Sequence, residues 1–127
     1  MRNMRHSIWI LLALLAVATT LFTVAGAGQA KAAADLTGAW ICNDGGTYYL
    51  RQIGSSLVWY GESDPNNPAW SNVARGTISG NTINLVWTDV PKGHVMSNGI
   101  LKLNIVSDNE LQAISKTGGF GGSNWTR

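Results

Sequence analysis

Beyond residue 34 the sequence holds a short inventory of side chains able to do chemistry. His94, in Val90-Pro91-Lys92-Gly93-His94, is the one histidine there, so any general-base or metal mechanism that needs imidazole must use it. Cys42 is the only cysteine in the chain, which excludes an internal disulfide, and it reads as a small buried hydrophobe rather than a reactive thiol. Asp44, Glu62, Asp64 and Asp89 sit at or near strand ends. Two such carboxylates can form a glycosidase pair, but acids in these positions more often cap turns. No metal-ligand spacing occurs, and Gly118-Gly119-Phe120-Gly121-Gly122 lacks the Lys and the following helix of a phosphate cradle. No cofactor is expected.

Aromatic residues are the better candidates. Trp40, Trp59, Trp70, Trp87 and Trp125 join Tyr48, Tyr49, Tyr60 and Phe120, a high share for a small domain. Most have to be core. Trp59 and Trp87 are expected to face inward beside Leu57, Leu85 and Leu103, with the small Ala74 and Gly76 leaving room for them. Trp70 and Phe120 lie in polar or Gly-rich loops, where an aromatic is either a lid over the core or a contact residue.

These side chains are positioned by strands. Asp35 to Arg127 shows no helical spacing of apolar residues but repeats a strand signal followed by a turn signal. The expected strands are 36–42, 47–53, 57–62, 72–78, 82–88, 99–106, 110–116 and 124–127. Alternation is clearest in Ile83, Leu85 and Trp87, with Val86 the exception, and in Leu101, Leu103 and Ile105. Gly54-Ser55-Ser56, Gly80-Asn81 and Asp108-Asn109 read as tight hairpin turns in which Gly, Asn or Asp supplies a positive φ. The other four connections are longer. In an up-and-down meander alternate connections fall at opposite ends, so three tight turns close one end and four long loops rim the other. Closure removes aggregation-prone edges, and an eight-stranded antiparallel barrel is expected, with a β-sandwich as the alternative. Its wall is roughly 20 Å tall, and its interior is either filled or able to hold one small ligand.

The leading segment supplies the compartment. Arg2, Arg5 and His6 precede an apolar run from Ile8 to Phe22, and small residues end in Ala32-Ala33-Ala34, the pattern of a signal peptide rather than a membrane anchor. Of the 127 residues about 93 remain, enough for one domain at 35–127. Removing Arg2, Arg5 and Lys31 leaves six basic residues against seven acidic, a net charge of about −1. The remaining basic residues are scattered, so no nucleic-acid footprint is present, and no membrane association is expected after cleavage.

Leu36-Thr37-Gly38-Ala39-Trp40, a strand-opening Gly-x-Trp directly after a leader, resembles the start of the avidins and lipocalins, both eight-stranded meander barrels. The resemblance covers about a dozen residues. It implies a secreted barrel in which a basic residue of the last strand, here Arg127, packs over the opening Trp, here Trp40. In avidins a polar turn follows and supplies ligand hydrogen bonds; Asn43 and Thr47 stand in the matching stretch. The later Trp and Ser positions of avidins do not align and biotin is not the expected ligand, while the disulfide and flanking helix usual in lipocalins are missing. The expectation is a secreted, non-enzymatic module binding a small molecule or carbohydrate at the long-loop end through Asn43, Asp44, Trp59, Trp70, Trp87, Asp89, His94 and Phe120. The alternatives are a protein-interaction or inhibitor module using the same rim, and a small hydrolase built on rim carboxylates.

Overall fold

A computed structural model of the chain describes residues 35–127, and the leader read from the sequence lies outside them. Those residues form eight strands and no helix: β1 Gly38–Cys42, β2 Thr47–Ile53, β3 Ser56–Glu62, β4 Ser71–Ser79, β5 Thr82–Asp89, β6 Asn98–Ser107, β7 Glu110–Lys116 and β8 Asn124–Thr126. Each pairs antiparallel with the next, and β8 returns to β1 through Ile41↔Thr126 and Cys42↔Trp125 to close an up-and-down barrel. The sandwich alternative is therefore set aside. The closing seam is short, and the side chain of Asn43 reinforces it: Oδ1 accepts from the backbone N–H of Ser123 (2.8 Å) and of Asn124 (3.1 Å).

Local chemistry explains the turns. Gly54-Ser55 and Gly80-Asn81 are two-residue loops whose first residue has φ of 60° and 58°, while the second does not. That is the type II′ geometry that matches strand twist and asks for Gly in the first place. The Asp108-Asn109 turn departs from the expectation. Neither residue takes a positive φ, and the pairing beside it slips between Ile105 and Ser107. A bulge there absorbs the twist that a primed turn would otherwise supply.

Inside, cross-strand register stacks the side chains in rows. Ile78, Ile83 and Leu103 form one row, Leu57, Gly76, Leu85 and Leu101 the next, and Leu50, Trp59, Ala74 and Trp87 a third. Ala74 lies laterally between Trp59 and Trp87, so its small size does make room for both. Gly76 has another reason for being small: a side chain there would overlap the Asn84 backbone. Val86, the break in the alternation, is on the outer wall and exposed, as are Val58, Val73 and Ile100.

At the tight-turn end Leu36 is buried and Trp40 Nε1 donates to the Leu36 carbonyl (2.9 Å). The Arg127 guanidinium sits 4.5 Å from the centre of the Trp40 ring. It also donates to the backbone carbonyls of Asp108, Thr37 and Asp35. One side chain thus ties the opening segment and the β6–β7 turn together over the barrel floor.

Candidate functional site

The fourth interior row differs from the three below it. Tyr48, Gly61, Asn72 and Asp89 are lateral neighbours across β2 to β5 at the long-loop end, and the polar members still face inward. Gly61 carries no side chain because the Tyr48 ring covers that position. Asn72 is 3% exposed and Asp89 8%. Burying such groups is costly unless they are bonded. Asn72 Oδ1 accepts from Trp59 Nε1 (2.9 Å), which leaves its amide NH2 as the group it can offer. Asp89 Oδ2 accepts from the Ser97 backbone N–H (3.0 Å).

Loops complete the mouth. Asp44, in the β1–β2 loop, accepts from Gly46 N–H through Oδ1 (2.9 Å) and from the Tyr48 hydroxyl through Oδ2 (2.6 Å). Burial, followed by the adjoining Asp44 carboxylate, pushes the Tyr48 phenol well above its ordinary range, so it remains a neutral donor. Trp70, in the β3–β4 loop, is half-buried, with its ring centre 5.8 Å from that of Tyr48. A side chain at Gly46 would overlap the Trp70 ring, and one at Gly93 would overlap its backbone, so Trp70 is wedged between two loops. Phe120, from the Gly-rich β7–β8 loop, folds inward onto Trp87 at 5.0 Å edge-to-face and onto Trp59 and Trp125.

Between these groups lies a cavity of about 300 Å³, the lower end of the size range of small-molecule sites. Its aromatic walls are Tyr48, Trp70, Trp87 and Phe120, and its polar groups are Asp44, Asn72, Asp89 and Ser97, with Val95 and Gly118 to Gly121 closing the rim. Five of the eight residues expected at the site border it: Asp44, Trp70, Trp87, Asp89 and Phe120. Trp59 is set back behind Asn72 and Phe120. Asn43 clamps the seam instead, and His94 is exposed on the outer loop with its backbone N–H bonded to the Ala69 carbonyl (2.8 Å).

The other side chains able to do chemistry are not part of the cavity wall. Cys42 is 2% exposed, and burial pushes its thiol up to about 12, so it is not a thiolate at neutral pH. Of the remaining rim acids, Asp64 caps its own turn through the N–H groups of Asn66 and Asn67. Glu62 is bonded to Lys92 (2.6 Å) and to the Tyr60 hydroxyl (2.8 Å).

Tyr48, Asn72 and Ser97 were not expected at the site. Strand parity could have found two of them: Tyr48 precedes Leu50 by two residues and Asn72 precedes Ala74 by two, so each shares its neighbour's inward face. Ser97 and Val95 depend on the path of a loop, for which the sequence has no periodic signal. Comparison with family models, with curated proteins and with solved structures finds no match to this chain.

Proposed function

We propose that this protein is an exported, non-enzymatic binding module that takes a small molecule or carbohydrate at the long-loop end of the barrel. One observation carries the reading. Buried polar side chains and aromatic faces converge on a cavity at that end, whereas the opposite end is filled and tied shut. Interior polar groups in a small barrel weaken its core, so their retention around a space of ligand size is accounted for by recognition. Kinship with the avidins and lipocalins is supported by the guanidinium of Arg127 over Trp40, the arrangement which that resemblance implied.

A protein-interaction module is the second reading, favoured by Val95 and Met96, which are 49% and 57% exposed on the rim loop between β5 and β6. The hydrolase reading is weaker. Asp44 and Asp89 do border one cavity, but both oxygens of Asp44 are already occupied, by the Gly46 N–H and the Tyr48 hydroxyl.

The test is a thermal-shift and tryptophan-fluorescence screen of the exported protein against sugars, vitamins and other small metabolites. Its N-terminus by mass spectrometry is expected at or near Asp35. Compounds that bind are expected to quench Trp87 or Trp70 and to lose affinity in Trp70→Ala. Binding that is indifferent to Trp70 and maps to the tight-turn end would overturn the reading, and an intact leader would overturn export.

A further inference from the structure

The chemistry of the cavity wall narrows the ligand class, an inference that rests on the small-molecule reading above. We propose that the cavity takes an organic cation: a free small molecule with an ammonium group on an apolar body.

Three of the side-chain donors that border the cavity are already committed: the Tyr48 hydroxyl to Asp44, Ser97 Oγ to the Gly118 carbonyl (2.6 Å), and Trp87 Nε1 to the Thr117 carbonyl (3.2 Å). The Asn72 amide is left as a neutral donor, and against it stands the acceptor capacity of a carboxylate. Asp89 lines the cavity at 8% exposure, and among the described residues its Oδ1 accepts no hydrogen bond and neither oxygen has a cationic partner. A carboxylate removed from water without a positive partner is unusual, because its desolvation goes uncompensated. A ligand that brings the positive charge completes it.

Charge at the rim agrees. Among the described residues no Lys, Arg or His lines the cavity. Lys92 is held by Glu62, and Lys116 by the Gly122 carbonyl and Ser123 Oγ. Two carboxylates, Asp44 and Asp89, therefore face the space with nothing positive beside them. An anionic ligand is repelled, and a sugar, which needs donors and acceptors in comparable number, finds few donors.

The remaining wall suits a cation as well. Trp70, Trp87 and Phe120 give the wall aromatic surface, and an aromatic face attracts a desolvated ammonium. The fold already uses that contact at its other end, where Arg127 covers Trp40.

The experiment compares three probes with one aromatic body and different charge: 2-phenylethylammonium, 2-phenylethanol and phenylacetate, titrated at pH 7 by calorimetry and tryptophan fluorescence. The ammonium is expected to bind at least about tenfold more tightly than the alcohol, and the carboxylate not at all. Asp89→Asn keeps an acceptor for Ser97 N–H and is expected to bring the ammonium to within about threefold of the alcohol, leaving alcohol affinity unchanged. Asp44→Asn supplies the same comparison if Asp89→Asn folds poorly by its melting curve. Equal or tighter binding of the alcohol or the carboxylate overturns the cation while leaving the small-molecule site standing. So does ammonium affinity unmoved by both variants. Preference for a lysine-bearing peptide over the free ammonium overturns the small ligand in favour of a protein partner. No binding of any of the three probes or of the peptide overturns the cation together with the site.

Discussion

At the tight-turn end the chain closes on itself: Leu36 fills the floor, Trp40 hangs from the Leu36 carbonyl, and Arg127 spans three backbone carbonyls above the Trp40 ring. At the long-loop end the same eight strands finish in inward-facing Tyr48, Asn72 and Asp89 and stop short of filling the mouth. The strands are shared, so the difference arises from what their last residues and the connections are made of. Short turns and apolar ends give a plug. Long loops and polar ends give a space with walls of fixed chemistry, because the loop aromatics Trp70 and Phe120 are packed rather than free.

The largest expected effect separates the ends directly. Trp40 is fully buried and bonded, and truncating such a side chain costs about 3–5 kcal/mol, enough to lower the Tm of a domain this size by more than about 10 °C. Trp40→Ala is expected to do that without changing the affinity of the folded fraction for a cavity ligand. Trp70→Ala, at a half-buried position, is expected to move the Tm by a few degrees at most and to abolish binding. Phe120→Ala falls between them and loses both, since its ring is 7% exposed among Trp59, Trp87 and Trp125. Circular-dichroism melts beside ligand titration read all three. If Trp40→Ala and Trp70→Ala lose stability equally, the plug and the mouth are not distinct.

The same contrast governs what could be read from the amino acids. Alternation in Ile83, Leu85 and Trp87 and the Gly-containing turns carry period and direction, which is enough to expect eight strands and their closure, while the meeting of Trp40 with Arg127 was implied by the resemblance of the opening Gly-x-Trp to avidins and lipocalins. The mouth was legible only in part, for a physical reason. Where Thr88 gives way to Asp89, or Asn72 is preceded by Ser71, the apolar alternation ends and the strand reads as finished. The ladder nevertheless runs one residue further at each place, and Asp89 and Asn72 pair across it with their side chains inward. An inward-facing polar residue at a barrel rim imitates a strand terminus in the sequence. The turn at Asp108-Asn109 is a different case: its bulge depends on long-range twist, which two residues do not encode.

A second variant sharpens the description of the plug. Arg127→Ala removes a cation–π contact and a guanidinium that satisfies carbonyls of Asp35, Thr37 and Asp108, and about 1–2 kcal/mol of stability is expected to go with it. Arg127→Lys is expected to recover little of this, because an ammonium lacks the planar fork that reaches separated acceptors. Denaturant midpoints measure both. Full recovery with Lys would mean that charge alone, without geometry, holds the floor.

The smallest expected effect lies at the mouth, where Glu62 of β3 is joined to Lys92 of the β5–β6 loop across 2.6 Å. The bond from Lys92, with the one from Tyr60, holds the Glu62 carboxyl below its ordinary range. The bond to Glu62 in turn raises the Lys92 ammonium above its own. A carboxylate with a depressed value contributes stability above the ordinary carboxylate range and loses it as pH falls through the folded-state value. An ammonium with a raised value contributes fully below its ordinary range and loses that at high pH. The pair is therefore complete at neutrality. Glu62→Gln is expected to lower the Tm slightly at pH 7, and the difference from the parent protein is expected to vanish in acid, as the parent carboxyl protonates, and to shrink in high salt because Lys92 is 45% exposed. A Tm difference that persists unchanged from pH 7 into acid would show that Glu62 supports the loop by packing and not by charge.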